Sequence, residues 1–541
     1  MDGGLMPLVE FSKSKLARLI GKRIPNEKML ERLTMYGLNV EADSPATVTL
    51  EVTPNRPDLM SEEGLARAMR GFLGVEKGLV EYKVKKSQYK AVVDPSVKGV
   101  RESTSAAVVK GVRLDSEGVA GLMQAQEKLH LTHSRNRKLA AIGVHDLDVI
   151  KFPVKYTTVG GDAKFTPLDS GNMTVREILT KHPKGRDYAH LLPGSRYPVW
   201  QDADGKILSL PPIINSAHTA ITARTKNLFI DLTGQQQKTV DQAMNILCAQ
   251  LADAGGEVFS VTFNDGRTTP DLNPTSMKLY EGYANKLLGT RLTRKQIDDY
   301  LGRMRFSVSK ERVLVPRYRT DILHPIDLVE DIAIAYGYEN FAPEIPNVAT
   351  VGGEARSAVL ERKLAEVLTS LGLLETNTYH ISNKAVLLGK MGRGDRPAVT
   401  ARNAVNENYD TLRDFMVPML LDVLSSNKHH DYPQNLFEIG SVVFPEKGAI
   451  REEEHLAIVV CHAKTDFTDI KSTAEALFKA MGVPVSVEPA QHEGFLAGRC
   501  ANIMHRGKFA GMMGEIHPQV LENFALELPV TALEVKTEVF R

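Results

Sequence analysis

The segment "LIGKRIPNEKMLERLTMYGLNV", beginning at Leu19, aligns without a gap on "LLGTRLTRKQIDDYLGRMRFSV", beginning at Leu287, at a constant offset of 268 residues. A repeat of this kind binds two distant segments to one supersecondary plan before any other feature is read. Leu19/Leu287, Gly21/Gly289, Arg23/Arg291, Ile24/Leu292, Met29/Ile297, Leu33/Leu301, Leu38/Phe306 and Val40/Val308 match in kind, mostly where a core would want them. Thr293 and Gln296 have capping-box spacing at the start of a helix expected to end near Met304, and Asn26 is the candidate N-cap in the first copy. After a small gap the likeness resumes at an offset of 263, where "EVTPNRPDLMSEEGLARAMRGFLG" parallels "LVPRYRTDILHPIDLVEDIAIAYGY". Arg56 then matches Arg319, and Asp58 matches Asp321. In the second copy a helix is expected from Pro325 to just before Gly337. Two related winged-helix-like modules follow, over residues 1–85 and 270–345.

The expected fold class is a multidomain α+β protein. Residues 90–265 alternate β-type runs ("AAVVKGVRL", "AAIGVHDLDVI", "LFIDLTG", "EVFSVTF") with helical patterns such as "TVDQAMNILCAQLADAGG", which makes them an α+β domain. Residues 350–541 open on an amphipathic helix and continue in "NLFEIGSVVFP", "EEHLAIVVCHA", "CANIMHRGKFAGMMGEI" and "VTALEVKTEVF", strands of a larger antiparallel sheet. A chain of 541 residues accommodates this many cores. Its 67 basic and 66 acidic residues leave a net charge of +1, so nucleic acid contact has to come from local patches. Cys248, Cys461 and Cys500 lack C-x-x-C spacing, which points to buried thiols in a reducing compartment. No basic, apolar leader opens the sequence and no run reaches the roughly 20 apolar residues of a membrane span; the expected location is cytoplasmic, away from membranes.

"TDILHPIDLVEDIAIAYGY" gathers Asp321, Asp327, Glu330 and Asp331 beside an apolar stripe of Val329, Ile332, Ala333 and Tyr336. The i, i+3, i+4 spacing of Asp327, Glu330 and Asp331 lets their carboxylates converge, with Asp321 just ahead of the helix. Oxygen-only ligands suit Mg²⁺. The alternative is a solvated helix face whose acids meet the helix dipole or pair with Arg317 and Arg319. The first copy has Gly64, Arg67 and Ala68 at the positions of Asp327, Glu330 and Asp331, so the fold does not require those three acids.

Taken in order, "TPNRPDLMSEEGLARAMRG", "AAIGVHDLD", "LPPIINS", "VPRYRTDILHPIDLVEDIAIAYGY", "LFEIGSVVF" and "GEIHP" resemble the β subunit of phenylalanyl-tRNA synthetase in its shorter archaeal and eukaryotic-type form, along essentially the whole chain. The resemblance implies an (αβ)₂ heterotetramer in which the α subunit binds ATP and phenylalanine and joins the amino acid to tRNA(Phe). It also implies that the second module, called B5, binds Mg²⁺ through Asp321, Asp327, Glu330 and Asp331 at a site shared with the α subunit. The C-terminal domain is similar to a class II synthetase module without aminoacylation chemistry. "NLFEIG" lacks the arginine of F-R-x-E, and no G-x-G-x-G-x-x-R run occurs there. "NENYDTLRDFMVPMLLDVL", with Arg413, Met416, Met419, Leu420 and Leu424, is either an assembly interface or a core helix.

The central domain resembles B3/B4, the family's editing domain, which removes tyrosine wrongly attached to the phenylalanine tRNA. Editing answers a physical limit, since an apolar pocket rejects an isostere with an added hydroxyl by only about a hundredfold. A second site needs a buried acceptor for the phenol and polar groups for ester and water. "LPPIINSAHTAITARTKNLFIDLTG" offers Asp231 as that acceptor and Thr233 on the same strand face, with Asn215, Ser216 and His218 ahead of them. Arg135, Arg137, Lys138, Lys181, Lys184 and Arg186 are candidate contacts to tRNA phosphates, or solvated loops. Trp200 reads as packing. Two rivals stand beside this reading: a scaffold and tRNA-binding subunit that does not edit, and a free-standing nucleic-acid-binding protein.

Overall fold

The computed structural model describes residues 7–348 and 351–541, and the chain divides into two units, Met1–Ile345 and Pro346–Arg541. The first copy of the repeat runs β1 (Leu8–Ser12), α1 (Lys13–Ile20), α2 (Asn26–Met35), β2 (Asn39–Asp43), β3 (Thr47–Glu51) and α3 (Glu62–Phe72). Ser12 caps α1 by accepting from the Lys15 amide, and Gly21 ends it at φ 76°. Only a residue without a Cβ takes that conformation at no cost. Asn26 is the first residue of α2 and not its N-cap: Pro25 holds that place, and the Asn26 side chain donates from Nδ2 to Asp43 at 3.0 Å.

The central domain follows with β4 (Lys90–Val93), β5 (Ser103–Lys110), α4 (Ser116–Leu131), β6 (Ala140–Asp146) and β7 (Val154–Val159). A small ribbon, β8 (Lys164–Phe165) and β9 (Met173–Thr174), leads into α5 (Val175–Lys181) and α6 (Pro183–Tyr188). Then come β10 (Tyr197–Gln201), β11 (Ile207–Leu210), β12 (Ile214–Asn215), β13 (Asn227–Gly234), α7 (Gln237–Asp253), β14 (Glu257–Phe263) and β15 (Thr268–Thr269). These strands form one sheet ordered β12-β11-β10-β7-β4-β14-β5-β13-β6, with β15 paired to β14. Its two end strands meet, because the Asn215 side chain donates to the Val144 carbonyl at 3.3 Å. Val240, Met244, Leu247 and Leu251 of α7 pack on one face of the sheet. Trp200, fully buried, stacks on Tyr156 on the other, which is the packing role expected for it.

The second copy consists of β16 (Thr275–Lys278), α8 (Glu281–Leu288), α9 (Arg294–Arg303), β17 (Ser307–Ser309), β18 (Arg312–Val315) and α10 (Pro325–Tyr336). Its sheet is ordered β16-β18-β17 where the first is β1-β3-β2, so element order and strand order are both repeated. Gly289 ends α8 at φ 66° as Gly21 ends α1, and Thr293 and Gln296 form the expected capping box. The copies share one continuous core that includes Leu33, Met69 and Phe72 together with Leu301, Phe306, Leu328 and Ile332. Arg303 donates from Nε and Nη2 to the Phe72 carbonyl at 3.2 Å and from Nη1 to the Ala335 carbonyl. One guanidinium thereby satisfies the C-terminal ends of both α3 and α10, carbonyls that no helical N–H can reach.

The second unit holds α11 (Arg356–Ser370), β19 (Leu374–Glu375), the ribbon β20 (Ile381–Ser382) and β21 (Thr411–Leu412), and α12 (Val417–Ser426). Next are β22 (Gln434–Glu446), β23 (Ala449–Cys461), α13 (Phe467–Ala480), β24 (Ser486–Pro489), β25 (Phe495–His505), β26 (Lys508–Ile516), α14 (Pro518–Asn523) and β27 (Val530–Lys536). The sheet is ordered β19-β22-β23-β27-β26-β25-β24, antiparallel throughout except for β19 against β22. Leu360, Leu364 and Leu368 of α11 cover one face with α13, and α12 and α14 cover the other. Met416, Met419, Leu420 and Leu424 are all buried, so α12 is the core helix of the two alternatives. Arg413 is fully buried too, donating to Glu438 at 2.6 Å, Thr378 at 2.8 Å and the Ser441 carbonyl at 2.9 Å. All three cysteines are buried and unpaired. No helix of the described residues is long and apolar enough to cross a membrane.

Candidate functional site

At the seam where β6 approaches β11 and β12, a cavity of about 660 Å³ opens against α4. Its apolar wall includes Met123, Ile142, Val144, Pro212 and Ile213, and its polar groups include Asp231, Ser209, Asn215, Glu127, His130, Arg137 and Lys184. Asp231 sits deep, 1% exposed. One of its oxygens, Oδ2, lies 2.7 Å from His145 Nε2 and 3.5 Å from the Ser209 hydroxyl, while His145 Nδ1 lies 2.8 Å from the Thr219 hydroxyl. With its proton on Nε2, the ring donates to the carboxylate and accepts from Thr219. Cross-strand register explains the pairing: Asp231 stands opposite Gly143 and Phe229 opposite His145, so His145 reaches Asp231 across a position with no side chain. A Cβ at Gly143 would sit 2.8 Å from His145 Nε2 and closer still to Asp231. Asp231 Oδ1 accepts no hydrogen bond among the described residues.

Of the five residues expected at this site, Asp231 and Asn215 line the cavity and the other three do not. Thr233 shares a strand face with Asp231 but lies beyond the cavity, where Arg101, itself 1% exposed, donates to its hydroxyl at 3.0 Å and its carbonyl at 2.8 Å. The Ser216 hydroxyl is turned to the Thr166 carbonyl and to His218 Nδ1. His218 is exposed, and partial burial lowers its pKa.

At the other wall, Glu127 accepts from Arg137 at 2.9 Å and from His130 Nδ1 at 3.3 Å, and His130 Nε2 accepts from the Ile142 amide at 2.8 Å. The bond from His130, followed by the charge of Arg137, holds Glu127 down to about 2, although its partial burial opposes this. Burial holds His130 down to about 4, so the ring is neutral. Arg137 is buried, donates to the Pro212 and Ile213 carbonyls and lies over the Tyr188 ring. It ties the cavity walls together and is not a phosphate contact. Arg135, Lys138, Lys181 and Arg186 are exposed, and Lys184 is half-buried at the cavity.

The four acids of the second module do not converge. Arg319 donates to Asp321 at 2.9 and 2.7 Å and to Asp331 at 2.6 Å. Arg56 makes the same two-oxygen pair with Asp58 in the first copy, at 2.9 Å to each oxygen, so the R-x-D segment is shared architecture. Burial pushes Asp331 up to about 6, although the charges of Arg319 and Arg56 oppose this. Burial also opposes the charge of Asp321, but Arg319 outweighs it and leaves that carboxyl below its usual range. Asp327 accepts from the amides of Leu323 and His324, both at 2.7 Å, and closes a capping box on α10. Glu330, exposed, accepts from the Tyr338 hydroxyl. Among the described residues no three His, Cys, Asp or Glu side chains form a metal-binding group. A four-acid cage therefore does not fit this geometry. Asp327 and Glu330, on the open flank of α10, do fit an ion that usually takes only one or two carboxylates directly and keeps several waters.

Family models match three stretches: "B3/4 domain" over residues 122–249, "tRNA synthetase B5 domain" over 277–338 and "Phenylalanyl tRNA synthetase beta chain CLM domain" over 342–537. The phenylalanine–tRNA ligase β subunit of Archaeoglobus fulgidus is 41% identical, over 99% of this chain and 99% of its own. The chain belongs to the phenylalanine–tRNA ligase β-subunit family. The β subunit of Methanocaldococcus jannaschii is 37% identical over 98% of this chain and all of its own. An N-terminal fragment of the Pyrococcus horikoshii β subunit, seen in a crystal structure, matches 61% of this chain and 99% of its own, with 39% identity and a TM-score of 0.59. Within this family frame, the B3/4 match spans most of α4, all of β6 and β13 and most of α7, and so includes Glu127, His145 and Asp231. Ser209, Glu127 and His130 are the cavity residues that sequence reasoning missed, and His145 is the missed partner of Asp231.

Proposed function

We propose that, as a β subunit of phenylalanine–tRNA ligase, this chain assembles with α subunits in an (αβ)₂ tetramer and hydrolyses tyrosine from mischarged tRNA(Phe) in its central domain. The α subunit binds ATP and phenylalanine and makes the aminoacyl ester. The observation that carries the editing reading is the buried Asp231, which lines a cavity with largely apolar walls and is gripped on one oxygen by His145 while the other accepts no hydrogen bond among the described residues. An aromatic ring enters such walls readily, and only a ring bearing a hydroxyl satisfies the free acceptor at the end. A phenylalanyl ester leaves that acceptor dry and unpaired, which disfavours its binding. Water attacks the ester carbonyl, the bond to the ribose oxygen breaks, and tyrosine and intact tRNA leave; no side chain of the cavity acts as the nucleophile. Asp231→Ala is expected to abolish tyrosine clearance while the holoenzyme still charges phenylalanine. Undiminished clearance in that variant would remove Asp231 from the reading.

Magnesium, in this proposal, meets the chain on the flank of α10 through Asp327 and Glu330, with the α subunit completing the site. Asp321 and Asp331 enter the set only if Arg319 gives them up.

A further inference from the structure

Glu127 is a second cavity carboxylate that the phenol-reading role of Asp231 leaves unused. Its Oε2 is occupied by Arg137 and His130, and Arg137 is pinned in turn to the Pro212 and Ile213 carbonyls across the cavity. Its Oε1 accepts no hydrogen bond among the described residues, and Lys184 Nζ stands 4.0 Å from it. An alkylammonium thus already stands near that oxygen without hydrogen-bonding to it. The Glu127 side chain is 40% exposed where that of Asp231 is 1% exposed, so the two carboxylates stand at different depths of one cavity. The Ile142 amide donates to His130 Nε2, which puts the ring's proton on Nδ1, facing Glu127. Glu127 is thus a fixed, ionised group with one open oxygen.

An amino acid esterified to tRNA has lost its carboxylate charge and keeps its α-ammonium, the single charge of the aminoacyl group. We propose that Glu127 receives this α-ammonium through Oε1, with Arg137 and His130 as positioning residues, so that the cavity reads an amino acid at both ends. This rests on the editing reading above. Its consequence is selectivity for a free α-amine: aminoacyl-tRNA with a blocked nitrogen, including peptidyl-tRNA, has no cation to offer and is spared.

The test uses the αβ holoenzyme with two substrates, tyrosyl-tRNA(Phe) and its N-acetyl derivative, and compares kcat/KM for their hydrolysis. The wild type is expected to prefer the free amine by about tenfold or more, the effect of losing one hydrogen bond to a charged partner. Glu127→Gln keeps an oxygen for Arg137 and His130, and the preference is expected to collapse towards one. A wild type that hydrolyses both substrates equally overturns the inference without needing any variant. So does a Glu127→Gln enzyme that keeps the preference, or one slowed equally on both, which would show a structural role only. If the wild type hydrolyses neither substrate, the editing reading itself falls and takes this inference with it, an outcome distinct from the other three.

Discussion

His130 shows how one buried side chain can make a cavity wall sensitive to acid. Its pKa is held near 4 against an ordinary 6.5, so the folded wall binds fewer protons than the unfolded chain in that window. The stability it contributes is complete above about pH 6.5 and is lost as the pH falls towards 4. Protonation puts a second N–H at Nε2, where the ring now accepts from the Ile142 amide. Hydrogen-exchange protection of that amide is expected to fall steeply between pH 6.5 and 4, and the fall should be absent in His130→Gln; a pH-independent protection factor would contradict this. Legibility at this scale was partial for a clear reason. Asp231 was legible because an acid inside an apolar strand run demands a partner. His145 stood in a motif already noted, "AAIGVHDLD", but its 86-residue separation from Asp231 is closed only by the pairing of β6 with β13. Strand alternation placed Thr233 on the right face and could not say that the cavity ends before it.

Among the elements, α10 is the instructive one. Helical spacing groups Asp327, Glu330 and Asp331, yet successive residues are turned about 100° apart, and that rotation puts Glu330 in solvent and Asp331 into the core with Leu328, Ile332 and Ala335. The buried acid is met by Arg319, which the first copy duplicates as Arg56 with Asp58. Arg319→Ala would strand Asp321 and Asp331 without their cation, and is expected to cost about 3–5 kcal/mol, the usual penalty for breaking a buried pair. A shift in the urea midpoint measures it. Glu330→Gln, on the exposed flank, should stay within about 0.5 kcal/mol of the parent. Equal destabilisation by the two substitutions would refute this division of the four acids. The repeat was legible at element scale because Gly21 and Gly289, and the apolar matches around them, answer to one backbone plan. Asn26 was misassigned because Pro25 sets the entry to α2 from the backbone alone.

For the whole molecule, the parts of the chain differ in kind: a duplicated scaffold with an acid-bearing flank, a cavity with two carboxylates, and a sheet-and-helix unit whose buried Arg413–Glu438 pair serves its own packing. If the flank of α10 is the magnesium site, tetramer purified with Asp327→Asn and Glu330→Gln together is expected to retain less Mg²⁺ than the parent. Equal metal content would place the ion elsewhere. The most direct measurement is single-turnover hydrolysis of tyrosyl-tRNA(Phe) and phenylalanyl-tRNA(Phe) by the holoenzyme, with and without Asp231→Asn. The parent should clear the tyrosyl ester faster by about 10- to 100-fold, as expected when a buried charged acceptor reads one hydroxyl, and the substitution should erase most of that difference. Equal rates on the two esters in the parent, or an unchanged ratio in Asp231→Asn, would contradict the reading of this cavity as the tyrosine-clearing site.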